Sequence, residues 1–169
     1  MRLVISVAAV LLLFSSGAFP QDPPDFSGSY LLAWPKPEVR HGRKMRPSEL
    51  TVVQKGGVLH ATFTEHGKTR TSFYYLDGRL SQNRAADGAR SIDQANVQYG
   101  TLLIESKVKL AKATLEMQQK WQMSSDSRHL IVQITATANS EAVPNFPMGS
   151  WENVYNRKES AASGARSKK

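Results

Sequence analysis

The sequence predicts an all-β fold, an antiparallel up-and-down barrel of about eight to ten strands, with a two-sheet β-sandwich as the alternative. Three observations predict it. From Asp25 onward apolar and polar residues alternate with a period of two, the pattern of strands with one face buried. Turn-forming residues interrupt this alternation about every ten positions, the spacing of consecutive short strands joined by hairpins. Among 169 residues there is no cysteine, so the core must hold without disulfides, and the roughly 150 residues that follow the N-terminal segment are enough to bury about two-thirds of their unfolded surface.

The elements follow in order. Residues 26–34 form a first strand, cut off by Pro35 and Pro37. Residues 48–54 make a second, before the turn Lys55-Gly56-Gly57, and residues 58–65 a third, closed by His66-Gly67-Lys68. The fourth, residues 69–76, runs into Asp77-Gly78, a pair suited to the positive backbone dihedrals of a tight hairpin. Residues 79–83 read as a short strand and 84–90 as a loop, after which 91–99 lead through Gly100 into the clearest alternation in the chain. There Leu102, Ile104, Ser106, Val108 and Leu110 face one way, and Thr101, Leu103, Glu105, Lys107 and Lys109 the other. Residues 114–123 repeat the pattern with Leu115, Met117, Trp121 and Met123 on one face. Glu, Gln, Met and Lys favour a helix in that segment, but strict alternation favours a strand. Residues 129–138 and 150–157 supply the last two strands, separated by a loop at 139–149 that contains Pro144 and Pro147. An up-and-down chain of this kind closes on itself to remove sheet edges that would otherwise recruit other chains.

The ends carry a different message. Arg2, the apolar run from Leu3 to Phe14 and the small residues Ser15-Ser16-Gly17-Ala18 have the order of a secretory signal peptide, cleaved after Ala18. The apolar run falls short of the ~20 residues a transmembrane helix needs. The expected organisation is therefore a signal at 1–18, a Pro-rich lead-in at 19–24, a barrel at 25–158 and a disordered basic tail at 159–169, in a secreted or periplasmic protein. The net charge of +8 is unevenly spread. Residues 47–156 hold eleven Lys or Arg against ten Asp or Glu. The excess sits in the early loop, where Lys36, Arg40, Arg43, Lys44 and Arg46 face only Glu38, and in the tail. These clusters read either as solvated segments or as a surface for an anionic envelope partner. No interleaving of Arg with aromatics points to nucleic acid.

Several short motifs give the chain a family likeness. Asp25-Phe26-Ser27-Gly28-Ser29-Tyr30 is similar to the Asp-Phe-Ser-Gly-Thr-Trp opening of exported bacterial lipocalin-like domains of unassigned function. The likeness continues through Ser48-Glu49-Leu50-Thr51-Val52-Val53-Gln54, Tyr75-Leu76-Asp77-Gly78, Trp121-Gln122-Met123-Ser124, Ser125-Asp126-Ser127-Arg128-His129-Leu130 and Val154-Tyr155-Asn156-Arg157. It implies an eight-stranded calycin-type barrel whose interior can hold one small apolar ligand. It also implies that Tyr30, in place of the usual Trp, closes one end together with Arg157, and that Trp34, on the same face, shares that role.

Catalytic chemistry finds little support. Missing cysteine excludes thiol nucleophiles, and His41, His60, His66 and His129 lack metal-ligand spacing. Ser27-Gly28-Ser29 and Met148-Gly149-Ser150 lack the hydrolase elbow. Asp93 and Glu105 could serve as a carboxylate pair only if neighbouring strands brought them together. The expectation is a non-enzymatic binding protein with no catalytic residues, no cofactor and no metal. The candidate lining of its lumen is Phe63, Phe73, Tyr75, Ile104, Met117, Trp121 and Met123, each of which could equally be ordinary core.

Overall fold

The computed structural model describes residues 24–34, 48–65, 67–84, 88–111, 113–138 and 149–159. Ten strands make up this chain: β1 (Gly28–Trp34), β2 (Glu49–Lys55), β3 (Val58–Glu65), β4 (Lys68–Tyr75), β5 (Asp77–Arg84), β6 (Arg90–Gln98), β7 (Thr101–Lys109), β8 (Thr114–Met123), β9 (His129–Ala138) and β10 (Gly149–Arg157). No helix occurs among the described residues. All ten strands belong to one sheet in the order β4-β3-β2-β1-β10-β9-β8-β7-β6-β5, each antiparallel to its neighbours. A single continuous sheet rules out the two-sheet sandwich, and ten strands replace the eight implied by the family likeness.

Residues 114–123 are extended, as alternation predicts. Leu115 and Trp121 point inward while Glu116, Gln118 and Lys120 are exposed, so burial of one face outweighs helix propensity. β5 is longer than the expected 79–83, because its pairing with β6 runs from Asp77↔Asn96 to Arg84↔Arg90 with an irregularity between Asp77 and Leu80.

The Asp77-Gly78 hairpin is the main correction. Gly78 has a positive φ of 84°, but β4 and β5 share no main-chain ladder; they are the two ends of the sheet, joined along the chain through Leu76. The Asp77 carboxylate turns to Arg79 instead, accepting its backbone N–H at 3.2 Å and its Nε–H at 2.8 Å.

Closure across this seam is made by a side chain. Asn83 Oδ1 accepts the Phe73 N–H at 2.9 Å, and Asn83 Nδ2 donates to the Phe73 carbonyl at 2.9 Å and to Asp93 Oδ2 at 2.8 Å. The carboxamide thus copies both halves of a ladder pair, satisfying groups that would otherwise be orphaned. Asp93 is in turn fixed by Ser91 Oγ, which donates to Oδ2 at 2.8 Å.

Along the ladder, inward and outward faces pass from strand to strand without interruption. The inward cluster Phe26, Tyr30, Leu50, Val52, Leu59, Ala61, Leu102, Ile104, Trp121, Leu130 and Val132 is almost wholly buried. Outside, polar pairs such as Thr62 with Thr71 at 3.0 Å and Lys107 with Glu116 at 3.4 Å cover the wall.

Replacing Asn83 with Ala should lower unfolding stability by about 2 to 4 kcal/mol, since the Phe73 backbone groups and the Asp93 carboxylate all lose a buried partner. Urea denaturation checks this; a midpoint equal to that of the parent would show that the seam closes without the carboxamide.

Candidate binding site in the barrel interior

One end of the barrel is plugged. The turn before β1 crosses it, with the Phe26 N–H donating to Gln54 Oε1 at 3.2 Å and Gln54 Nε2 donating to the Pro24 carbonyl at 3.1 Å. Tyr30, fully buried, donates its hydroxyl hydrogen to the Phe26 carbonyl at 2.8 Å. Arg157, its register partner on β10, donates from Nη2 to the Tyr30 hydroxyl at 3.0 Å and to the Ser27 carbonyl at 2.8 Å, with its guanidinium carbon 5.5 Å from the ring centroid. Gly28 makes room for the pair: a Cβ there would come within 3.1 Å of Arg157 Nε and 3.2 Å of the Tyr30 ring. Trp34 pairs through its backbone with Val154; its side chain lies outside the described residues.

Of the other candidates, Phe63, Ile104, Met117, Trp121 and Met123 share the inward face. The Trp121 indole is fully buried, stands edge-on to Phe63 with ring centroids 6.3 Å apart, and donates its N–H to Gln119 Oε1 at 3.1 Å. Met123 lies at the plugged end, its sulfur 3.8 Å from the Tyr30 hydroxyl. Met117 packs near the other end with Val108, Leu115, Ala136 and Trp151.

Phe73 and Tyr75 are corrected to the outer wall. Phe73 stands opposite exposed His60, and between the two aromatics Tyr74 turns inward, 4 % exposed. In Thr-Ser-Phe-Tyr-Tyr both parities carry bulk, so size alone could not select the inner face. Outside, Phe73 stacks edge-on with Tyr75 at 5.7 Å and Arg79 covers Tyr75 at 4.3 Å.

The remaining groups named from the sequence do not converge. Asp93 points inward, whereas Glu105 is exposed on the outer face of β7, opposite Gln94, which removes the carboxylate pair. Among the described residues no three His, Asp or Glu side chains gather. Lys36, Arg40, Arg43, Lys44, Arg46, the tail from residue 160 and the signal segment lie outside the described residues. No described helix is long and apolar enough to cross a membrane.

Sequence reading missed a polar half of the interior. Ser72, Ser81, Asn83, Ser91, Asp93 and Ser106 are all buried, facing inward from β4 to β7, while Leu80 and Ile92 on the same strands are 64 % and 50 % exposed. Hydrophobicity is inverted across β5 and β6, so alternation could reveal the strands but not their inner face. Two tyrosines are buried among the inward residues, Tyr74 on β4 in this half and Tyr155 on β10 across the barrel. Burial, reinforced by the Asp93 charge and opposed by a Ser72 hydrogen bond and by Arg70, pushes the Tyr74 phenol up to about 12. Burial and then Glu65 push Tyr155 up to about 12, against Arg70 and an Asn153 hydrogen bond. Arg70 itself lies over the Phe63 ring, 4.5 Å from its centroid.

Two open grooves, of about 280 Å³ and 140 Å³, run between outer side chains such as Glu105, Gln118, Lys120 and Gln133 or Leu80, Ile92 and Lys107. They belong to the outer wall of the sheet.

Taken together, these features define a ten-stranded up-and-down antiparallel barrel, plugged at one end, with an interior apolar on one side and polar on the other. Two solved structures share the fold. A secretory abundant heat soluble protein from Ramazzottius varieornatus superposes with a TM-score of 0.54 at 8 % identity, covering 79 % of this chain and 95 % of that one. The REP1-NXSQ fatty acid transporter gives 0.55 at 8 % identity, with 79 % and 96 % coverage. A zebrafish ileal bile acid-binding protein complexed with cholic acid gives 0.49 at 15 % identity, with 80 % and 98 % coverage. No protein-family model and no curated protein sequence matches the chain.

The buried phenols predict an alkaline limit to stability. With folded values near 12 against an ordinary value of 10, the unfolded chain ionises first. Stability is therefore whole below about pH 10 and falls towards pH 12 by roughly 1.4 kcal/mol per unit for each tyrosine. Replacing Tyr74 and Tyr155 together by Phe should flatten this limb in a pH series of urea melts; an unchanged slope would place the effect elsewhere.

Proposed function

We infer that the protein is a non-enzymatic container that binds a small apolar or amphipathic molecule inside the barrel. The observation that carries this reading is the inner wall itself: Leu32, Phe63, Leu76, Val97, Met123 and Ile134 pack against the buried core but remain only partly covered. Inward apolar surface that the chain leaves uncovered is surface a ligand can cover, at roughly 25 cal/mol per Å². The shared fold with the fatty acid transporter supports the reading. The apolar segment at 3–14 supports export as the setting in which the container works.

Native mass spectrometry of protein from its own host should show one small molecule per chain, and a fluorescent apolar dye should bind the emptied barrel and be displaced by long-chain amphiphiles. Met117→Trp, which places extra bulk on the inner face, should weaken displacement by about tenfold, equivalent to 1.4 kcal/mol. Protein recovered empty, with no dye uptake and no thermal shift across a lipid panel, would remove the container.

A further inference from the structure

We propose that Asp93 and Ser106 form a subsite inside the barrel for the hydrogen-bond-donating head group of an amphipathic ligand, an ammonium or a hydroxyl. The proposal rests on the container reading and specifies which head group the container selects.

Asp93 on β6 and Ser106 on β7 are register partners, both facing inward and both 3 % exposed. The carboxylate is held by neighbours on one side only. Its Oδ2 accepts from Asn83 Nδ2 and from Ser91 Oγ, each at 2.8 Å, which locks the rotamer. Among the described residues, no hydrogen bond reaches Asp93 Oδ1 or Ser106 Oγ, and no Lys, Arg or His forms an ion pair with Asp93. Arg70, an inward guanidinium of the same region, is engaged with Phe63.

A carboxylate this buried, with two neutral donors and no ion-pair partner, gains from a cation that joins it. An ammonium supplies that charge along with donors for both free oxygens. A hydroxyl supplies one donor and accepts from Ser106. A fatty carboxylate supplies neither and meets like charge.

The surroundings suit such a ligand. Asp93 lies in an inward row that runs Ser81, Asp93, Ser106, Met117, Ala136 across β5 to β9. Small side chains flank the carboxylate in this row, and the partly covered Phe63, Val97 and Ile134 offer apolar surface for a tail.

The test uses decylammonium, decanol and decanoate as competitors against a bound fluorescent apolar dye at neutral pH. The expected order of affinity is ammonium, then alcohol, then carboxylate, spanning at least about tenfold. In Asp93→Asn the amide oxygen can still accept from Asn83 and Ser91, leaving its NH2 at the free position, so the order should collapse or reverse. Ser106→Ala should weaken the alcohol most. Glu105→Gln, on the outer face of the same strand, should change nothing, which separates the subsite from general surface charge. Circular dichroism establishes that each variant is folded, and if Asp93→Asn is not, the parent order and Ser106→Ala decide. Equal binding of all three competitors, or carboxylate preferred, would overturn the subsite while leaving the container standing. Failure of all three to displace the dye, together with failure of the wider panel, would overturn both.

Discussion

Closure of this barrel depends on one carboxamide. Nine of the ten neighbour relations around the wall are made by main-chain ladders, and the tenth, between the chain-consecutive strands β4 and β5, is made by Asn83 imitating a strand residue. A side chain that bonds backbone groups across a seam must itself be held still. The Asp93 carboxylate and Ser91 do this from β6. Polar groups were therefore drawn into the interior by the geometry of closure, since a carboxylate that anchors Asn83 has to sit on the inner face.

That requirement gives the interior its two-sided character. From β7 through β10 and β1 to β3 the inward residues are mostly large and apolar, and Tyr30 with Arg157 seals their lower end. From β4 to β7 the inward residues include small hydroxyls, the Asn83–Asp93 pair and the Tyr74 phenol. A rolled sheet brings these two walls face to face. Buried polar networks of this kind are stable when every member is satisfied and become sites when one is not. Here Asp93 Oδ1 and Ser106 Oγ, on register partners, take no hydrogen bond from the described residues, so the same carboxylate that steadies the wall also presents an acceptor to the lumen.

Strand existence was legible because a half-covered sheet imposes a period of two wherever the two faces differ in polarity. β7 and β8 show this best: Leu102, Ile104 and Val108, and Leu115 and Trp121, are apolar residues the alternation selects, and all five are buried. Where both faces carry bulk, as in β4, or the polarity is reversed, as in β5 and β6, the period survives but its phase does not. Phe73 and Tyr75, named as lumen candidates, face outward, as do Leu80 and Ile92. Their exposure is dictated from outside the strand, by ladders that tie Asp93 to Ser106 and His60 to Phe73.

The sequence by itself determined an all-β chain, its strand limits to within a few residues, and the Tyr30 and Arg157 positions, because alternation, turn chemistry and short motifs are local properties. Tertiary structure alone decided that the strands join into one continuous sheet, the break at Asp77-Gly78 where a hairpin was expected, and which of two parities in β4 to β6 lines the lumen. Those outcomes depend on register inherited through neighbouring strands and on a seam bond between residues ten positions apart, and neither leaves a mark in the local pattern of residues.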